Sequence, residues 1–201
     1  MTPSPIQMLE TNFVDVRPML AALDANPQVW NQHTARLKQY AHSGVSDIWV
    51  RYRSFNEWGG DLAEFNLAHD PVWYPVADIL PVPAIVYKVM SAVEGERLGG
   101  VLITRIPPGG SVKPHVDRGW HASHYDKFAV QLAGNATQGF CFKTARLSPL
   151  AGDLYAFNNS LTHWVENPSD EHRITLIMCI RTRRTGLEPV GCLAKKEPKP
   201  L

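Results

Sequence analysis

His115, Asp117 and His163, followed by Arg173, are the residues of this 201-residue chain whose types and spacing could do chemistry. His115 and Asp117 stand one residue apart in Lys113-Pro114-His115-Val116-Asp117, His163 comes 46 residues after Asp117, and Arg173 comes ten residues after that. Two imidazoles and one carboxylate on one face of a metal, with open positions opposite, form the ligand set that suits non-haem Fe(II) and oxygen activation. A His-x-Asp pair alone arises readily by chance. A downstream histidine preceded by Gly152-Asp153 and a strand-like run, and then an arginine at a strand start, is far more specific. Arg173 could hold a carboxylate near such a metal through its planar fork of donors.

For these residues to meet, the elements around them must be extended. In a strand, residues i and i+2 point the same way, so His115 and Asp117 converge on one ion only if their segment is extended, and Pro114 favours that. After Gly99 the chain reads as short strands separated by turn residues: Val101 to Ile106, a Pro107-Pro108-Gly109-Gly110 turn, Tyr125 to Leu132, Gln138 to Lys143, Asp153 to Phe157 and Arg173 to Arg181. Such a series favours a sandwich or barrel, and a jelly roll would return His163 to the end of the barrel that carries His115. On the last strand Ile174, Leu176, Met178 and Ile180 read as the core face, and Arg173, Thr175, Ile177 and Cys179 as a mixed pocket wall.

The first half mixes helical and irregular signals. Val29, Trp30, Leu37 and Tyr40 predict a helix over Pro27 to Tyr40, Ile48 to Tyr52 predicts a half-buried strand with Arg51 and Arg53 on one face, and Ile85, Val86, Val89, Met90 and Val93 predict a helix ending near Gly95. Residues 1–96 are thus expected to pack on the sheet as part of the same domain, 97–182 to form the β core, and 183–201 to be a basic, proline-containing tail.

A hydrophobic share of 44%, a charged share of 19% and a net charge of +1 are globular values that give no general pull toward nucleic acid or acidic membranes. Cys141, Cys179 and Cys192 form neither a disulfide framework nor a zinc pattern, so a reducing, cytoplasmic setting is expected. No signal peptide or membrane span is read from the sequence. The basic residues Arg181, Arg183, Arg184, Lys195, Lys196 and Lys199 read as a solvated tail, and a nucleic-acid partner is not expected.

The stretches Pro108 to Asp117, Gly152 to Asn167 and Arg173 to Ile177 resemble the aspartyl/asparaginyl β-hydroxylase family of 2-oxoglutarate-dependent dioxygenases, most specifically in the Pro-Gly turn before His115 and the spacing from His163 to Arg173. The resemblance runs from about residue 97 to 182. It implies a mainly β fold with flanking helices, a double-stranded β-helix (jelly roll, cupin-like). It further implies Fe(II) on His115, Asp117 and His163, with 2-oxoglutarate and dioxygen (O2) as cosubstrates. In this reading 2-oxoglutarate chelates the iron through its keto acid end and Arg173 binds its distal carboxylate. Thr104 falls where the family places a hydroxyl near the cosubstrate, and Lys127 falls near a position where the family often has an arginine. Some animal members lack the aspartate ligand, so Asp117 aligns the chain with the bacterial and viral three-ligand pattern.

The expected activity is hydroxylation of an amino acid, either free, as with proline, or as an Asp or Asn side chain in a polypeptide; the partner is then a small molecule or a peptide. Two other readings remain open on sequence: a non-catalytic jelly-roll module for a small acidic ligand, and a cupin using another divalent metal. Arg51, Arg53, His121, His124 and Trp164 are candidate substrate-side groups. His33, His42 and His69 read as surface or loop residues. The sequence does not specify an oligomeric state.

Overall fold

The alternation that assigns two faces to each strand is met in a computed structural model of the chain, which describes residues 4–58, 64 and 67–182. Its strands are β1 (Ile6–Glu10), β2 (Ser46–Tyr52), β3 (Val72–Trp73), β4 (Gly95–Ile106), β5 (Ser111–His115), β6 (Asp126–Ala133), β7 (Gly139–Phe142), β8 (Arg146–Leu147), β9 (Leu154–Phe157), β10 (His163–Glu166) and β11 (Arg173–Thr182). The α-helices are α1 (Arg17–Ala25), α2 (Phe55–Trp58), α3 (Val82–Ala92) and α4 (Trp120–His124). Among the described residues the strands form a seven-stranded sheet, β1-β9-β6-β11-β4-β2-β3, and a four-stranded sheet, β5-β10-β7-β8. The ladders are antiparallel, and the architecture is a jelly roll.

The period of two sorts each central strand of the large sheet. Leu176, Met178 and Ile180 of β11, Val101 and Ile103 of β4, and Phe128, Val130 and Leu132 of β6 share one core with Met19 and Leu23 of α1 and Val82, Ile85, Val86 and Val89 of α3. Each fully buried aliphatic side chain there contributes roughly 1.5–3 kcal/mol relative to exposure. The intervening residues, including Ile106, Ala129, Tyr155 and Phe157, turn to the small sheet and pack with Val112, Phe140, Phe142 and Val165. Arg173, Thr175, Ile177 and Cys179 line the cavity between the sheets, as the alternation of the last strand predicts.

The first half departs from its sequence reading in two places. The predicted helix over Pro27 to Tyr40 is instead three separate 3₁₀ turns, Pro27–Val29, Arg36–Lys38 and Tyr40–His42. Asn31 breaks the helical path by adopting φ of 59°, and its N–H donates to the Asp47 carbonyl at 2.8 Å, tying the segment to β2. Strands β1, β2 and β3 also enter the large sheet, so the N-terminal region supplies part of the sheet as well as helices that cover it. Helix α3 ends as predicted. Glu94 takes φ of 52° and β4 begins at Gly95, earlier than the apolar run at Val101 suggests. The basic tail at 183–201, with Cys192, lies outside the described residues. Among the described residues, no helix is long and apolar enough to cross a membrane.

Candidate active site

Strand β5 ends on His115, and β10 runs antiparallel to it with His163 directly opposite, which brings the two imidazole centroids to 4.3 Å. Asp117 follows two residues beyond the strand, where its N–H donates to the Asn159 carbonyl at 3.1 Å. Asn159 also reaches α4, its Nδ2 donating to the Ala122 carbonyl at 3.1 Å. One ligand atom from each of His115, Asp117 and His163 lies within 4.8 Å of the others, a grouping that could hold a metal ion. His115 Nδ1 donates to the Lys113 carbonyl at 2.8 Å, and His163 Nδ1 donates to the Leu161 carbonyl at 2.9 Å. These two bonds put the ring proton on Nδ1 and leave the lone pair on each Nε2, that of His115 lying 3.4 Å from Asp117 Oδ1, the arrangement metal-ligating histidines need.

The electrostatics favour the ligating protonation states. Burial alone would raise the Asp117 carboxyl, but the ammonium of Lys127 leads the interactions that outweigh it and hold the group well below the ordinary carboxylate range. Lys127 Nζ sits 3.7 Å from Asp117 Oδ2 and donates to Cys179 Sγ at 3.0 Å. Burial lowers the pKa of His163 against the opposing pull of Asp117, so its ring stays neutral.

Farther into the cavity, Arg173 is 1% exposed and donates from Nη2 to the Tyr155 hydroxyl at 3.3 Å. Among the described residues its Nε and Nη1 are buried without a partner, and so is Thr104 Oγ1. The two residues approach one another through the β11–β4 ladder, where Thr104 faces Thr175 and Ile106 faces Arg173. Among the described residues Arg173 makes no ion pair. An unpaired buried guanidinium beside an unpaired buried hydroxyl is costly unless an anion completes it, and the planar fork matches a carboxylate. A metal-binding triad and an uncompensated arginine therefore face one cavity of about 340 Å³, a volume suited to a small-molecule cosubstrate.

The structure brings together His115, Asp117, His163, Arg173, Thr104, Lys127 and His121 around this cavity. His121, on α4, accepts the Gly100 N–H on Nε2 at 3.1 Å, and burial pushes its pKa down to about 2. The approach is close: a Cβ on residue 100 would lie 3.0 Å from the Tyr52 ring and 3.2 Å from that of His121, so a larger residue would need these rings to shift by a few tenths of an ångström.

Four predicted substrate-side residues are placed elsewhere. Arg51 packs over the Trp73 ring at 5.3 Å, and Arg53 pairs with Glu57 and Glu64. His124 stacks on Trp120 at 4.9 Å, and Trp164 donates to Glu166 at 2.8 Å. A bulge between Trp49 and Arg51 explains part of this, since it shifts the β2 register and turns Tyr52 to the cavity. Conversely His42, read from sequence as a loop or surface residue, is 4% exposed and lines the cavity with Arg36. No local signal marks these two, because the turns that carry them meet β5 only through the fold.

No curated protein matches the chain. Among solved structures, the prolyl hydroxylase in complex with a hypoxia inducible factor oxygen degradation domain peptide fragment from Trichoplax adhaerens has a TM-score of 0.53 at 13% identity, covering 88% of this chain and 83% of that one. The viral collagen prolyl hydroxylase from Paramecium Bursaria Chlorella virus-1, in its 2-oxoglutarate complex, has a TM-score of 0.50 at 13% identity, covering 90% of this chain and 97% of that one. These likenesses carry the fold. The family model for aspartyl/asparaginyl beta-hydroxylase matches residues 10–183, nearly the whole described chain. The protein thus belongs to the aspartyl/asparaginyl beta-hydroxylase family and is an oxidoreductase of the 2-oxoglutarate-dependent hydroxylase type.

Proposed function

We propose that this chain hydroxylates an amino acid, free or as a residue of a peptide, with Fe(II) held by His115, Asp117 and His163 and with 2-oxoglutarate held at its distal carboxylate by Arg173 and Thr104. The observation that carries this reading is the pairing of a three-ligand metal group with a buried arginine that has two unpartnered nitrogens in the same cavity. Fe(II), 2-oxoglutarate and dioxygen together supply an oxidant for an unactivated C–H bond, with succinate and carbon dioxide as coproducts.

The chain's own residues supply placement. The Lys113 and Leu161 carbonyls hold the histidine rings in their ligating tautomers, and Lys127 keeps Asp117 ionised. Tyr155 orients Arg173 by accepting from Nη2, which leaves the rest of the fork for the cosubstrate. Phe140, Tyr155 and Phe157 make the wall apolar, which excludes water and strengthens the charged contacts within. A reducing, cytoplasmic setting fits the buried free thiols of Cys141 and Cys179.

The test is succinate release on incubation with Fe(II), 2-oxoglutarate and oxygen. Slow release without added substrate, lost in Asp117→Ala, is expected. A wild-type protein that binds neither iron nor 2-oxoglutarate overturns the reading.

A further inference from the structure

The cavity wall built from the turns Arg36–Lys38 and Tyr40–His42 presents hydrogen-bond donors that the roles above leave unused. Arg36 lines the cavity with its side chain 14% exposed, and the fully buried Asp47 directs both carboxylate oxygens to its Nη1 alone, at 2.9 and 2.8 Å. A guanidinium carries five N–H groups in a rigid fork, and among the described residues neither Nε nor Nη2 of Arg36 makes a hydrogen bond. Asp47 is itself fixed, its N–H donating to Asn31 Oδ1 at 2.9 Å and its backbone facing Thr104 across the sheet. The arginine is therefore preorganised by the strand that lies beside β4.

His42 adds a second, independent observation. It is 4% exposed, sets its ring edge-on to His115 with centroids 4.6 Å apart, and buries an Nδ1 that has no partner among the described residues. A polar atom so deeply buried costs free energy unless a ligand completes it. Charge balance points the same way. Of the ionisable Lys, Arg, Asp and Glu side chains lining the cavity, Arg36, Arg118, Lys127 and Arg173 are cationic and Asp117 is acidic, and with Asp47 paired to Arg36 from behind the wall the balance is four cations to two carboxylates. A divalent metal and a dianionic cosubstrate cancel one another, so the excess of cations stays available to a further anion.

We infer that Arg36, oriented by Asp47, and His42 form a second carboxylate subsite, which holds a carboxylate of the substrate beside the metal ligands. The inference rests on the hydroxylase reading above and deepens it by assigning the substrate an acidic group. The carboxylate belongs either to a free amino acid or to an acidic side chain in a peptide, and the two sources share the same recognition chemistry.

The experiment is calorimetric titration of the full chain loaded with Mn(II) and 2-oxoglutarate, which needs no turnover. One arm compares L-proline with L-prolinamide, and the other compares N-acetyl-aspartate amide with N-acetyl-asparagine amide. In at least one arm the acid binds about tenfold to a hundredfold more tightly than its amide counterpart, which lacks the carboxylate charge, as loss of a charged hydrogen-bonded pair implies. That preference disappears in the double variant Arg36→Gln with Asp47→Asn, which leaves no unpaired buried carboxylate, and shrinks in His42→Phe, while 2-oxoglutarate affinity is unchanged. The arm that shows the preference names the source of the carboxylate.

Absence of binding by every acid, equal binding of acid and amide, or a preference that survives in the double variant overturns the subsite. A loss of 2-oxoglutarate affinity in that variant also overturns it, by assigning Arg36 to the cosubstrate. If the double variant does not fold, Arg36→Lys, which keeps charge but not the fork, and His42→Phe decide the question by the same ratio. Failure of the wild type to bind Mn(II) and 2-oxoglutarate at all would instead defeat the hydroxylase reading itself.

Discussion

On the helix-covered face of the seven-stranded sheet, Leu176, Met178 and Ile180 of β11 are fully buried in a core shared with α1 and α3. Displaced by one residue on the same strand, Arg173, Thr175 and Cys179 face the cavity and are buried almost as deeply. The first face gains free energy by burial, whereas the second gives some back, because Arg173 Nε and Nη1 and Thr104 Oγ1 have no partners among the described residues. Each unsatisfied buried group costs about 1–3 kcal/mol, and more when it is charged. Stability is thus concentrated on one face and spent on the other to keep donors free for a ligand.

The largest effect that tests this division comes from the metal group. Asp117→Ala should lower Mn(II) or Fe(II) affinity by more than about a hundredfold, since changing groups that merely orient ligands already costs about 10–100-fold. Calorimetry reads the affinity and succinate release the activity; the fold should survive, because the residue belongs to the cavity face.

Next come two substitutions on β11 with opposite signs. Leu176→Ala should destabilise by about 2–5 kcal/mol through cavity creation, with 2-oxoglutarate affinity retained. Arg173→Met should abolish 2-oxoglutarate binding while raising stability by about 1–4 kcal/mol, since an apolar side chain of similar volume replaces an uncompensated buried charge. Urea denaturation with a 2-oxoglutarate titration checks both. A destabilised Arg173→Met would break the comparison by making the arginine a structural member of the core.

A smaller effect follows from pH. Burial holds His121 neutral, with its pKa pushed down to about 2, against about 6.5 in the unfolded chain. The unfolded chain therefore takes up the proton first. The stability this group contributes is complete above about pH 6.5 and is lost as pH falls toward the folded value, at up to about 1.4 kcal/mol per pH unit. Denaturation at pH 7 and pH 5.5 should show wild type losing about 1 kcal/mol more than His121→Gln. Equal losses would sink this account of the ring. The smallest effect is expected from Thr104→Val, where one hydrogen bond worth about 0.5–1.5 kcal/mol should raise the 2-oxoglutarate KM severalfold with stability unchanged or slightly higher.

The sequence by itself determined the two faces of β11 and the closeness of His115 and Asp117, because these follow from local periodicity and from a spacing of two residues, while the jelly-roll class and the place of His163 beside them are what the family resemblance implied. Only the tertiary structure decided that residues 27–42 form three turns, because Asn31 leaves the helical region to bond Asp47 on β2. It likewise moved Arg51 and Arg53 out of the site, through a bulge and through pairing with Trp73, Glu57 and Glu64. His42 and Arg36 acquired their places only when those turns packed on β5 and β2, contacts that no window of neighbouring residues encodes. The physical reason is range. Strand faces are set by a period of two residues, whereas which side chain fills a cavity is set by partners dozens of residues away, and there the cost of an unpaired buried group is decided by the fold as a whole.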